Sequence, residues 1–241
     1  VALVSIIIPA FNEEKLLPAT LAAIRKAAPA LHDAGHTTEI IVCDNNSTDR
    51  TSAVATAAGA RVVFEPVNQI ARARNTGAAA AMGEWLIFVD ADSQVSRELF
   101  DAVAGALKDD SLLAGGTTVS MPSPSWVATA GANLWNFVSR FMNWAAGSFI
   151  FCRVEAFRTV KGFNQTLYAS EEIELFNKLK LLARQRRQRI RILNVPLVTS
   201  DRKLHLYTRW EKISFALRAL FRMNATVTSR EACAIWYDGR R

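Results

Sequence analysis

Trp85-Leu86-Ile87-Phe88-Val89-Asp90-Ala91-Asp92 decides the fold: five apolar residues run straight into two carboxylates separated by one alanine. A short unbroken apolar run between Gly83 and the polar pair Ser93 and Gln94 suits a strand buried on both faces, as in a parallel sheet. Open parallel sheets bind ligands beyond the carboxyl ends of their strands, so Asp90 and Asp92 stand where a ligand is expected. Two aspartates flanking a small residue can share a hard divalent cation, Mn2+ or Mg2+. Asp92 is then the direct ligand, and Asp90 acts directly, through water or on a ribose hydroxyl. The plainer reading is a turn that caps the next helix, for which Ser96 and residues Glu98 to Lys108 have the pattern.

Upstream, the plan repeats. Val4-Ser5-Ile6-Ile7-Ile8-Pro9 reads as a buried first strand ended by proline, which has no N–H for a sheet ladder. A turn, Ala10 to Glu14, leads into a helix with Leu17, Leu21 and Ile24 on one face. Ile40 to Cys43 is a second strand, Asp44 to Asp49 a polar turn, and Thr51 to Ala58 a helix closed by Gly59. Val62 to Phe64 is a third strand, and the alanine-rich stretch Gln69 to Met82 a helix able to lie close on the sheet. Strand and helix thus alternate four times in the first 90 residues, which predicts a doubly wound parallel sheet flanked by helices. The usual glycine-rich pyrophosphate cradle is missing, because the first turn reads Pro-Ala-Phe-Asn-Glu-Glu, and there is no P-loop. A nucleotide would have to be held by side chains and a metal.

A chain of 241 residues accommodates one large α/β domain, and with half its residues hydrophobic it is expected to be ordered. The formal charge of +7, from 29 basic and 22 acidic residues, favours anionic partners. No nucleic-acid motif accompanies it, so nucleic acid is not among the partners expected. Cys43, Cys152 and Cys233 lie far apart and suggest neither a disulfide framework nor a zinc site. No stretch reaches the roughly 20 apolar residues that cross a bilayer, and Val1 to Pro9 is too short and uncharged for a signal peptide. The expected location is the cytoplasm, with the inner face of the membrane as the alternative.

Four stretches together carry a resemblance: Ser5 to Glu14, Val42 to Thr51, Ala73-Arg74-Asn75-Thr76-Gly77, and Val89 to Asp92. In this order they resemble the successive signatures of family 2 glycosyltransferases with the GT-A fold. The resemblance is close over residues 1–95 and returns near 147–182. It implies a single GT-A domain over 1–241, with a Rossmann-like, mostly parallel sheet flanked by helices. Residues 1–95 would be the nucleotide-sugar half and 96–241 the acceptor and catalytic-base half. It further implies that Pro9, Ala10, Asn12 and Glu13 line a nucleobase pocket. Asp44 would bind the base, with Asn45 where the family often has a second aspartate, and Arg74 and Asn75 would reach ribose or diphosphate. Asp90, Ala91 and Asp92 would hold the metal and donor.

Later in the chain, Ser111 to Ser139 contains no charged residue. Its aromatics, with Phe137 and Phe141, suit core packing, acceptor binding or an amphipathic lipid contact. Ser170-Glu171-Glu172-Ile173 resembles the family's acidic pair before a helix. Position puts the catalytic base at Glu172, with glutamate for the usual aspartate and Glu171 in reserve; the plain alternative is that both favour the helix N-terminus. Arg184, Arg186, Arg187, Arg189 and Arg191 read as a solvated helix end, or as a contact for an anionic membrane or lipid phosphate. Arg202 is a candidate for the leaving diphosphate and His205 for a third metal ligand. Arg209-Trp210 lacks the glutamine of the processive-synthase motif, since Leu206 stands there.

The expectation is therefore an inverting, metal-dependent transferase. It would move a sugar from a nucleotide-diphosphate donor, a UDP-sugar by preference, to an acceptor hydroxyl or lipid phosphate on a glycan, lipid-linked or small molecule. The contrasting class is a catalytically idle nucleotide-sugar-binding module.

Overall fold

A computed structural model of the chain describes residues 2–120, 126–199, 227–233 and 237. The amino-terminal part alternates as expected: β1 (Leu3–Ala10), α1 (Leu17–Ala27), α2 (Pro29–Asp33), β2 (Thr37–Asp44), α3 (Thr51–Ala57), β3 (Arg61–Phe64), α4 (Ile70–Ala80) and β4 (Trp85–Val89). Then come β5 (Ser93–Gln94), α5 (Arg97–Leu107), β6 (Leu112–Ser120), α6 (Trp126–Met142), β7 (Phe149–Arg153), α7 (Val154–Thr159), α8 (Glu171–Arg186) and β8 (Arg189–Thr199). The strands form one sheet in the order β3-β2-β1-β4-β7-β6-β8-β5.

Period-two alternation explains why β1 and β4 read as unbroken apolar runs. Ile6 and Ile8 enter one core and Ile7 the other; Trp85, Ile87 and Val89 join the first, Leu86 and Phe88 the second. Leu17, Leu21 and Ile24 of α1 are all buried in the first core, with Leu99 and Phe100 of α5. Ser96 caps α5, its hydroxyl accepting from the Leu99 amide at 3.1 Å. Gly59, at φ +67°, follows α3 where a glycine closure is expected.

The first four strands are parallel, β1 pairing with both β2 and β4, and β2 with β3. Beyond β4 the sheet is mixed. β7 lies antiparallel between β4 and β6, β6 and β8 are parallel, and β5 is antiparallel to β8. Hydrophobic period marks a buried strand but carries no sign for its direction, so this insertion was not legible.

The uncharged stretch divides. Nearly all of β6 is buried, whereas α6 exposes Leu134, Phe137 and Phe141. Asn136 ties α6 to β6 by bonding both the amide and the carbonyl of Val119 at 2.8 Å. No helix among the described residues is long and apolar enough to cross a membrane. The three cysteines are buried thiols, and burial pushes Cys43 up to about 12, so it stays protonated.

α4 lies against β1 because residue 77 has no side chain: a Cβ there would sit 2.4 Å from Ile7 Cγ2. Alanine would gain roughly 1 kcal/mol of helix propensity, but the obstacle is a stiff β-branched side chain in the core. Gly77→Ala is therefore expected to lower unfolding free energy by about 1–3 kcal/mol in urea denaturation, as overpacking does.

Candidate active site

At the end of β4 the chain turns sharply, the Ser93 amide bonding the Asp90 carbonyl at 3.1 Å. Asp90-Ala91-Asp92 is thus a turn, as the plainer reading had it, and it also borders a hollow. The Thr20 hydroxyl fixes it from α1, donating to the Ala91 carbonyl at 2.7 Å. The hollow, about 550 Å³, is lined by Pro9, Ala10, Phe11, Glu13, Asn45, Asn68, Ile70, Asp90, Ala91, Asp92 and Tyr237. A second hollow, about 520 Å³, is lined by Arg74, Gly147, Ser148, Tyr168, Glu171 and Glu172 among others. Ile70 and Asp90 belong to both walls, so the two adjoin.

Arg74 stands between them, 1% exposed. Its Nη1 donates to Glu171 Oε1 at 2.6 Å, and its Nη2 to Asp90 Oδ1 at 3.0 Å and the Gly147 carbonyl at 2.8 Å. Burial works against its charge, yet the Asp90, Glu171 and Glu172 carboxylates outweigh burial and push the guanidinium above its usual value. The expectation for Arg74 was ribose or diphosphate. In the structure three of its contacts are to the protein itself.

Asn75, the next residue, is turned away. Its amide donates to the Phe163 carbonyl at 2.8 Å and accepts from the Phe163 amide at 2.9 Å. Neighbours on a helix point about 100° apart, and here Arg74 is on the side of the cleft while Asn75 is on the side of Phe163. Asn45 lines the first hollow, but its side chain donates to the Glu65 and Val67 carbonyls and accepts from the Gln69 amide. It braces the entry to α4. Asp44 is buried, with Oδ1 on the Ser47 amide at 2.9 Å, and is not among the lining residues. Asn12, at φ 53°, also works behind the wall, accepting from the Thr48 amide at 2.8 Å. Asp49 accepts from the amides of Thr51 and Glu14, so the polar turn caps and cross-ties, as its residue types suggest.

At the start of α8, Ser170 adopts the left-handed conformation at φ 62°, a strained geometry for a side-chain-bearing residue. It delivers two acids with different surroundings. Glu171 is 4% exposed and paired to Arg74, whereas Glu172 is only partly buried and lies beside Gly147. Burial first, and then the Glu171 charge, push the Glu172 carboxyl up to about 8 against a smaller opposing pull from Arg74.

Asp90 and Asp92 offer hard oxygens from one turn. That set fits Mg2+ or Mn2+, which take one or two carboxylates and complete their shells with substrate phosphate and water. Among the described residues no group of three or more acidic, histidine or cysteine side chains forms a ready-made cage. Arg202, His205 and Arg209-Trp210 lie outside the described residues. The basic run is exposed or partly exposed, with Arg186 pairing to Glu155 at 3.0 Å. Asn68, Tyr168, Ser148 and Tyr237 are wall residues that sequence reasoning missed. Tyr237 packs edge-on to Tyr168, 5.4 Å between ring centroids, and no pattern near it signals this.

A parallel half, a mixed half beyond β4 and a carboxylate turn at the junction together make the architecture of the GT-A fold. Solved structures of similar fold include a mannosyltransferase from Pyrobaculum calidifontis in complex with GDP-Man and Mn2+. It is 19% identical, with a TM-score of 0.68, and the match covers 98% of this chain and 68% of that one. S. aureus TarS 1-349 in complex with UDP-GlcNAc is also 19% identical, with a TM-score of 0.66 and coverage of 98% and 70%. An uncharacterized glycosyltransferase of Mycobacterium bovis is 40% identical over 92 residues, 38% of each chain. The chain spans well under half the length of the curated relatives it matches. The family model for glycosyl transferase family 2 matches residues 5–158, and the chain belongs to that family.

A raised carboxyl binds its proton more readily in the folded chain than in the unfolded one. Glu172 should therefore make stability fall as pH rises from the ordinary carboxylate range to about 8. Glu172→Gln is expected to raise the melting temperature relative to the parent, with a gap that widens over that window in scans at several pH values.

Proposed function

We propose that this glycosyltransferase moves a sugar from a nucleotide-diphosphate donor, a UDP-sugar in first place, to an acceptor with inversion at the anomeric carbon. The observation that carries the reading is that the carboxylate turn after β4 and the acidic start of α8 border adjoining hollows and meet on Arg74. The solved relatives with GDP-Man and Mn2+ or with UDP-GlcNAc support a donor of this class.

In this reading residues 1–95 hold the donor and 96–241 supply the acceptor side, within a single domain. Pro9, Ala10, Glu13 and Asn45 wall the nucleoside, while Asn12 and Asp44 stiffen that wall from behind. A Mn2+ or Mg2+ ion on Asp92 and Asp90 would supply Lewis-acid neutralisation of the charge on the leaving diphosphate. Glu172, when ionised, accepts the proton of the acceptor hydroxyl as that oxygen bonds to the anomeric carbon. The bond to the diphosphate oxygen breaks on the opposite face, its electron pair leaving with the nucleoside diphosphate. One displacement inverts the configuration. A catalytic carboxyl tuned upward suits a base working near neutral pH.

Glu172→Gln is expected to reduce transfer at least about 100-fold, as loss of a general base does, with Mn2+-dependent UDP binding retained in calorimetry. Asp92→Ala is expected to weaken that binding. Full transfer in either variant refutes its assigned role, and a parent that binds UDP-sugars but never releases UDP is a binding module.

Exposed Phe137 and Phe141 on α6, with Arg140 between them, support a lipid-linked acceptor reached at the inner face of an anionic membrane. Sedimentation with anionic liposomes is expected to fall in the Phe137→Ser, Phe141→Ser double variant. Unchanged sedimentation points to a soluble acceptor.

A further inference from the structure

Arg74 combines features that ordinary helix residues lack. It is almost wholly buried, its Nε finds no hydrogen-bond partner, and its guanidinium stacks 5.2 Å from the Phe163 ring centroid. One terminal nitrogen holds Glu171, and the other holds both Asp90 and the Gly147 carbonyl. Three segments that meet nowhere else in sequence are thereby fastened at one point: the turn after β4, the entry to β7 and the start of α8. A buried ion pair is weak evidence for stability, since well-packed apolar residues often do as well or better. What the guanidinium offers that an apolar residue cannot is a fixed spacing between two carboxylate-bearing elements, set by a planar fork of donors.

We propose that Arg74 is a positioning residue. It sets the distance between the donor-side turn, Asp90 to Asp92, and the acidic start of α8, and by occupying Glu171 it leaves Glu172 as the acid that faces the acceptor. Gly147 belongs to the device, because its bare Cα lets the Arg74 fork and the Glu172 carboxyl share one corner: a Cβ there would lie 3.2 Å from Nη2 and 3.6 Å from Glu172 Cδ. The proposal rests on the glycosyl-transfer reading and sharpens it. Glu171 becomes an anchor and not a second base, and the arginine acts on the reaction only through its neighbours.

The test compares the parent with Arg74→Lys, which keeps charge but not the fork, and with Arg74→Met combined with Glu171→Gln, which removes the buried Arg74–Glu171 pair and leaves only the partly exposed Asp90 to be solvated. Turnover is read as UDP release from UDP-sugars, donor-side integrity as the Kd for UDP with Mn2+, folding as Tm, and local order as amide exchange at 147–149 and 169–173. In Arg74→Lys, turnover is expected to fall about 100-fold, as a displacement near 1 Å can cause, while the UDP Kd moves less than about threefold. Exchange at the two segments should rise while Tm stays near the parent. The double variant should likewise keep Tm near the parent while turnover stays low. Parental turnover in the double variant would make Arg74 merely structural, and a UDP Kd that worsens in step with turnover would make it a direct donor ligand; either overturns the proposal. Should the parent release no UDP from any donor, the glycosyl-transfer reading fails. The exchange result then decides by itself whether Arg74 orders the two segments, and unchanged exchange overturns that role.

Discussion

A positive charge with almost no contact with water is the constraint around which the rest of the cleft is arranged. Removing a guanidinium from water is expensive, and the effective penalty is several kcal/mol after relaxation. Arg74 is tolerable only because carboxylates from two elements and a backbone carbonyl are brought to it. Those elements come from opposite halves of the chain: β4 belongs to the parallel half of the sheet, and α8 packs on the half that contains antiparallel strands. The requirement to neutralise one side chain therefore correlates the two halves at the place where their open ends meet. Close packing holds the arginine there. Gly77, one turn further along α4, lets the helix lie against Ile7, and this fixes the height at which Arg74 emerges from the sheet surface.

The same arrangement gives two adjacent acids different surroundings. Glu171 is held in an ion pair, whereas Glu172 has the neighbouring negative charge and the burial without an equivalent partner. Two adjacent carboxyls thus meet different environments, one an ion pair and the other burial beside a like charge. Ser170 contributes by its left-handed backbone, which starts α8 at an angle no ordinary extended residue would give. Strain at one residue is a small cost when the surrounding contacts already determine the conformation.

Much of this was legible in the sequence, and the legible parts share a cause. Ile6 to Ile8 and Trp85 to Val89 announce buried strands because both faces of the sheet are covered, and Leu17, Leu21 and Ile24 announce a helix because only one of its faces is. Asp90 and Asp92 stand out because charge at the end of such a run has no packing explanation. The direction of β7 was not legible, since burial does not record which way a strand runs. Nor was the task of Asn45. An asparagine amide serves a ligand and three backbone groups equally well, and only the loop at 65–69 shows which it has. The contacts of Asn75 were hidden for a related reason. Adjacent residues in a motif invite a joint role, but the helix sends one into the cleft and the other onto Phe163.

Arg74 is the instructive case, because the sequence marks the residue but not the protein groups that it holds. Its motif marks it as important, and the chemistry of arginine suggests phosphate as readily as carboxylate. What separates the two is whether protein acceptors reach the guanidinium before a ligand can. Glu171 lies 97 positions away, and the Gly147 carbonyl 73. No local pattern encodes that meeting; it follows from the antiparallel insertion of β7 beside β4, which carries residue 147 to the end of the strand that bears Asp90. Once the Ser148 carbonyl accepts from the Asp90 amide at 3.2 Å, the neighbouring Gly147 carbonyl is within the fork's reach. The feature that the hydrophobic pattern could not orient is thus the one that converts a surface-seeking arginine into an internal brace.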